Sequence, residues 1–226
     1  MVGIPAGTFT MGDAKNTSKA GQVTVDAFCM GRTEVTTAAY ATCVKSGKCT
    51  PAEARSRDYP PFSWYCNAGV AGRGNHPINC VDWDSAKKYC QAQGQRLPTE
   101  EEWEYAARGT DGRIYPWGNA EPNPSGAGQL CWNRYRDGKT NSTCAVAAFP
   151  RDNSPFGVAD MAGNVNEWTS SINGGTHAIT ASWIISRGGA WIFDDPLIAS
   201  SAHRGGSESW RRASDQGFRC AGSPLP

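Results

Sequence analysis

Asp160-Met161-Ala162-Gly163-Asn164-Val165-Asn166-Glu167-Trp168 is the stretch on which the reading of this chain turns. Two carboxylates bracket a polar run that contains a glycine, and a tryptophan closes it, so an oxygen-rich loop is fastened to a hydrophobic core. Oxygen donors of this kind suit a hard cation such as calcium, which takes carboxylate, amide and main-chain oxygens. Gly163 lets the backbone turn its carbonyls inward. The spacing is not that of an EF-hand loop. Composition alone leaves two readings open here, a cation-binding loop and an ordinary polar turn.

Three further runs accompany this one. The chain opens with Ile4-Pro5-Ala6-Gly7-Thr8-Phe9-Thr10-Met11-Gly12, continues through Arg96-Leu97-Pro98-Thr99-Glu100-Glu101-Glu102-Trp103-Glu104-Tyr105-Ala106-Ala107-Arg108-Gly109, and closes with Arg187-Gly188-Gly189 followed by Gly217-Phe218-Arg219-Cys220. In this order and at these distances the set resembles the formylglycine-generating enzymes, the sulfatase-modifying factor family, whose fold is similar to that of C-type lectins. The resemblance covers nearly the whole chain. It implies an α+β fold in one domain, residues 1–226, low in regular secondary structure, with two to three helices and short antiparallel strands.

Composition fits a single large domain. The chain has 226 residues, 39% of them hydrophobic, which is enough for a sizeable core. No apolar run approaches a membrane span, so membrane insertion is not expected. Charge is near balance, 22 basic against 21 acidic residues, which removes any general attraction to nucleic acid or anionic membrane. Met1-Val2-Gly3 leads straight into the first motif without a signal peptide. An export signal is expected to have been removed ahead of it.

Cysteine usage says more. Nine cysteines are present, and several stand close together: Cys43 with Cys49, Cys66 with Cys80, Cys131 with Cys144. No histidine lies beside them at metal-ligand spacing, which disfavours zinc and favours disulfides. The resemblance implies a fourth bridge, Cys90 to Cys220, and leaves Cys29 over. Closing so long a loop stabilises by roughly 4 to 5 kcal/mol on the chain-entropy model. Disulfides place the chain in an oxidising compartment, secreted or periplasmic.

Local patterns give the elements. Ile4, Phe9 and Met11, then Val23, Val25 and Phe28, alternate with small or polar residues and predict short strands joined by a loop from Gly12 to Gln22. Ala39, Tyr40, Cys43 and Val44 sit at helical spacing, and that helix stops at Gly47. Cys49 to Asn79 reads as a long loop held by the Cys66–Cys80 bridge. Asp84 is placed as the cap of a helix from Ser85 to about Gln93 with Ala86, Tyr89 and Cys90 facing the core. Thr99 and Glu102 form a capping box at the start of another, which gives the run of glutamates there a structural role rather than a catalytic one. Most of the nine tryptophans are expected to fill a core of irregular segments.

The resemblance also implies chemistry. Calcium, as a structural ion, is expected at Asp160 and Glu167 with main-chain oxygens of Met161, Gly163 and Val165. A second family calcium site transfers poorly, since Leu130-Cys131 precede Trp132 and its aspartate aligns near Gly138, with Asn133 and Asp137 close by. The family's copper(I) is held by two cysteines, which soft metal prefers, and dioxygen there converts a client sulfatase cysteine to formylglycine. Here Ala190 follows Arg187-Gly188-Gly189, Phe193 stands at the first copper cysteine, and the second falls near Ile198. No cysteine occurs between Cys144 and Cys220, and the tryptophan of the calcium motif has become Asn166. No copper is expected.

The expectation is therefore a non-catalytic domain that binds a protein or a small ligand outside the cytoplasm. Its surface is placed on the segment bearing Trp191, Phe193, Asp194, Asp195, His203, Arg204, Trp210, Arg211 and Arg212, residue types that dominate interface energetics. Trp191 and Phe193 read equally well as core. Two alternatives stand beside this one: an oxygen-dependent oxidoreductase of the family type using other ligands, and a retroelement-diversified protein that displays variable residues on the same segment.

Overall fold

Glycine and alternating apolar residues at both ends of the chain build one small sheet. The computed structural model describes residues 1–12, 20–55, 65–123, 129–132, 142–173 and 183–224. Strand β1 (Val2–Ile4) pairs antiparallel with β4 (Phe28–Met30), and β4 pairs antiparallel with β9 (Ala221–Gly222). The beginning and the end of the described chain thus close on a common strand. Strands β2 (Gly7–Met11) and β3 (Gly21–Val25) form a second antiparallel pair, with Phe9 and Met11 buried and Thr8 and Thr10 exposed. This is the alternation expected of a half-buried strand. Part of the Gly12–Gln22 connection lies outside the described residues.

Three helices follow. Helix α1 (Thr37–Lys45) is capped by the Thr36 hydroxyl, which accepts the Ala39 N–H. Helix α2 (Trp83–Ala92) corrects the expected boundary. Asp82, not Asp84, is its cap: Asp82 has extended backbone and its Oδ1 accepts the Ser85 N–H at 2.8 Å. Asp84 lies in the first turn instead, where it complements the positive helix end. Helix α3 (Glu100–Arg108) has the full Thr99–Glu102 capping box. Three of its four glutamates are held in ion pairs. Glu102 is paired with Arg96, Glu104 with Arg108 and Arg187, and Glu100 with Arg204.

The main sheet has the order β7-β6-β5-β8, from β5 (Asn166–Asn173), β6 (Trp183–Arg187), β7 (Arg204–Glu208) and β8 (Gln216–Gly217). Its pairs are antiparallel except β5 with β8, which is parallel. The Asp160–Trp168 loop feeds into β5, and its closing Trp168 is fully buried with Tyr40, Tyr89, Leu97 and Phe218. Trp103 on α3 anchors a second cluster with Phe9, Phe28, Met30 and Met161, and Tyr115, Leu130 and Trp132 gather in a third.

All four expected disulfides are present: Cys43–Cys49, Cys66–Cys80, Cys90–Cys220 and Cys131–Cys144. The third ties α2 to the last strand region across 130 residues with Cα atoms 5.5 Å apart. Cys29 is free and buried in β4. Around the long loop, Asn67 and Asn79 replace regular structure with hydrogen bonds. The Asn67 N–H donates to Asn79 Oδ1 and the Asn79 amide donates to the Tyr65 and Ser214 carbonyls. Among the described residues no helix is long and apolar enough to cross a membrane.

Candidate functional site

The oxygen-rich loop is pinned from three sides. The Asn164 N–H donates to the Cys131 carbonyl at 2.7 Å, the Gly163 N–H to Gly188 at 2.8 Å, and the Cys144 N–H to Asn164 Oδ1 at 3.0 Å. Gly163 has φ +78°, and a Cβ there would lie 2.5 Å from the Cys131 carbonyl oxygen. Only glycine fits. Behind the loop, Glu167 is completely buried, and Arg219, itself fully buried, meets it with two bonds: Nη2 to Oε1 at 2.6 Å and Nε to Oε2 at 2.7 Å. The Trp103 indole donates to Oε2 at 2.8 Å.

This arrangement tests the calcium set implied by the family resemblance, and the fit is partial. Both oxygens of Glu167 are already committed to donors. Asp160 accepts the Ala147 N–H on Oδ2 at 2.6 Å, and its main-chain oxygen accepts from Arg219 Nη2 at 3.1 Å. Beside Asp160 lies a further buried carboxyl, Glu34, just before α1. It is 2% exposed, no other described residue donates to its oxygens, and it shares a side-chain hydrogen bond with Asp160. Burial, and then the charge of Asp160, holds its carboxyl well above the usual range. Burial raises Asp160 as well. Asn133, Asp137 and Gly138, the residues where the poorly matching second family site would fall, lie outside the described residues.

The C-terminal segment is rearranged relative to expectation. Trp191 belongs to the core, a correction to its placement on a ligand surface. It is fully buried, its indole donates to the Ser214 carbonyl, and its ring meets Tyr65 edge-on. The arginines are drawn into ion pairs rather than presented alone: Arg204 with Glu100, Arg211 with Asp215 at 3.0 Å, Arg212 with Asp82 and Glu53. Asp194 and Asp195 are exposed, and Asp195 Oδ1 caps its own turn by accepting the Leu197 N–H. Trp210 is 60% exposed.

Phe193 and His203 come together in a cleft of about 210 Å³ with Asn166, Ser186, Ser207, Arg211, Asp215 and Gln216. Its floor is the bare Gly205-Gly206 stretch of β7. The ring of Trp183, 43% exposed, packs over Gly206, where a Cβ would sit 3.2 Å from it. Burial, and then the positive charge of Arg187, lowers the His203 pKa, so its imidazole is neutral at physiological pH. The cleft therefore offers amides, hydroxyls, a neutral imidazole and one internally balanced Arg–Asp pair beside an aromatic ring. Such a lining can bind by hydrogen bonds and stacking.

Sequence reading missed Asn166, Ser186, Ser207, Asp215 and Gln216 as cleft residues. Asn166 and Asp215 are brought together by one long-range bond, the Asn166 N–H to the Asp215 carbonyl at 2.7 Å, and Ser186 and Ser207 by the β6–β7 pairing. Only the replacement of the motif tryptophan by Asn166 gave a signal. Glu34 was missed too, since its neighbour Asp160 is more than a hundred positions away.

Comparison with known proteins agrees with this architecture. The family model described as the sulfatase-modifying factor enzyme 1-like domain matches residues 1–224. The inactive C-alpha-formylglycine-generating enzyme 2 of Bos taurus is 37% identical over 165 residues, 68% of this chain and 52% of that protein. The formylglycine-generating enzyme of Mus musculus is 29% identical over 283 residues, covering the whole chain and 76% of its own length. Among solved structures, PvdO from Pseudomonas aeruginosa superposes with a TM-score of 0.75 at 24% identity, over 98% of this chain and 93% of that one. The chain spans about half the length of the inactive bovine and mouse enzymes it matches.

Proposed function

Since the chain belongs to the sulfatase-modifying factor enzyme 1-like domain family, we propose that it is a family scaffold turned to binding, with the cleft around Phe193 as its recognition site. One observation carries this reading. At the position where the family resemblance puts the first copper thiolate, this chain places a phenylalanine ring in a cleft whose other walls are amides, hydroxyls, His203 and the Arg211–Asp215 pair. A phenyl ring offers a soft metal no ligand. The similarity to enzymes whose name calls them inactive supports the same reading.

The ligand is a protein or a small molecule that reaches the cleft past the exposed ring of Trp183, which packs on the lining residue Gly206, while exposed Trp210 adjoins the lining residue Arg211 in the chain. Exposed aromatic residues bordering a polar depression are the residue types that contribute most at recognition sites. Four disulfides suggest an oxidising compartment, and we place the domain in the periplasm or outside the cell. Capture from the source organism's envelope fraction tests this. Trp183→Ala/Trp210→Ala should lose the captured species while its Tm stays within about 2 °C of the parent, because surface changes move stability little. Equal capture by parent and variant would contradict the assignment.

A further inference from the structure

Three polar side chains that line the cleft are buried and yet largely unused. Asn166, Ser186 and Gln216 are each at most 9% exposed. Asn166 bonds to its surroundings through its main chain: its N–H donates to the Asp215 carbonyl, and its own carbonyl accepts from Gln216 Nε2. Its carboxamide, the Ser186 hydroxyl, Gln216 Oε1 and the imidazole of His203 have no hydrogen-bond partner among the described residues. None of these atoms is sealed from solvent. Buried polar groups are normally paired within the protein, so this set is a hydrogen-bonding demand turned toward a cavity. Gly205 keeps the space open, since a Cβ there would come within 3.0 Å of the Ser186 hydroxyl.

The demand is mixed in kind and neutral in charge. A carboxamide, a hydroxyl and the uncharged imidazole each supply both a donor and an acceptor, so an anion would face their acceptors and a cation their donors. The charged groups of the lining, Arg211 and Asp215, are paired with each other at 3.0 Å. A ligand hydroxyl also donates and accepts, and two vicinal hydroxyls match the oxygen and nitrogen that a carboxamide sets side by side. Planar bases stack on aromatic or guanidinium planes, but here a single ring, Phe193, faces hydroxyls, amides and the bare Gly205-Gly206 main chain. One apolar face and a polar edge belong to a pyranose. At about 210 Å³ the cleft is smaller than the roughly 300 Å³ at which drug-sized sites begin, which fits one ring rather than a chain. We propose, on the reading of this cleft as the recognition site, that its ligand is a neutral sugar ring whose hydroxyls meet Asn166, Ser186 and Gln216 while its C–H face lies on Phe193.

The full chain is titrated with the methyl pyranosides of glucose, galactose, mannose and N-acetylglucosamine, and binding is read by saturation-transfer NMR and calorimetry. At least one should bind with Kd on the order of 1 mM, because a single small ring buries little surface. Asn166→Leu and Ser186→Ala should each weaken it about tenfold or more. Their Tm should stay within about 2 °C of the parent, since neither side chain is bonded to the protein. No saturation transfer to any of the four, or binding unchanged in both variants, overturns the sugar. Capture from the envelope fraction separates this from failure of the cleft itself. Capture that is lost in Asn166→Leu but survives periodate cleavage of vicinal diols in the extract leaves the cleft with a ligand of another kind, whereas capture unchanged in Asn166→Leu removes the cleft as well. Competition of capture by the bound methyl glycoside assigns the ring to a larger glycan, and binding without competition assigns it to a free sugar.

Discussion

At Gly163 a single side-chain atom decides whether the central loop can close. The residue has φ +78°, and any Cβ would press against the Cys131 carbonyl that receives the Asn164 N–H. Gly163→Ala should therefore cost about 2–4 kcal/mol, the sum of a left-handed backbone and a contact with main chain that cannot move aside. Denaturant unfolding would show it as a lower midpoint at unchanged slope. The histidines give a second prediction at this scale. His203 and His76 both have pKa values lowered, first by burial and then by a neighbouring arginine, Arg187 and Arg73 respectively. A lowered histidine binds its proton more readily unfolded than folded. The stability it contributes is present above its ordinary value of about 6.5 and is lost as pH falls from there toward the folded value. Unfolding free energy measured from pH 8 to 5 should drop less steeply in His76→Gln and His203→Gln than in the parent, and identical slopes would contradict this. Sequence reading found Gly163 because a glycine inside a polar loop has a local meaning. It had no means to find Glu34, whose significance arises only when Asp160 folds against it.

Among elements, the caps and bridges show which local signals are decisive. Thr99 and Glu102 were legible because both halves of the box lie within four residues. Asp82 was not, because Asp84 offers the same side chain two residues later and only the fold selects between them. Long-range bonds do so: the Trp83 indole donates to the Thr169 carbonyl, and Arg212 pairs with Asp82. Asp82→Ala should lose about 1–2 kcal/mol, the cap and part of the ion pair, whereas Asp84→Ala should stay within about 0.5 kcal/mol. Equal losses would reverse the assignment. The Cys90–Cys220 bridge closes the longest covalent loop, and the double serine variant should lose roughly 4–5 kcal/mol on the chain-entropy model. The segment after Gly189 was harder to read. Tryptophan and arginine look alike in sequence whether they face a ligand or fill the interior, and only the fold sends Trp191 inward and pairs Arg204, Arg211 and Arg212 with acids on other segments.

Taken whole, the molecule keeps the family's frame. The chain ends meet on β4, the covalent bridge holds α2 to the last strand, and the Asp160–Trp168 loop delivers β5 to the centre of the main sheet. None of these features depends on the two positions where the family resemblance calls for thiolates. Phe193 lines the cleft at the position where the resemblance calls for the first thiolate, and the scaffold around it stands. The fold was legible because motifs of several residues each specify a turn, a cap or a bridge. The cleft was not, because its walls are single polar side chains collected from β5, β6, β7, β8 and the turn before them. The most direct test supplies what an oxidase would need: the purified chain, copper(I), dioxygen and a cysteine peptide from a sulfatase, with aldehyde measured by hydrazide capture. The account predicts that the peptide keeps its thiol with no aldehyde above the protein-free control. Turnover of the peptide to formylglycine would contradict it.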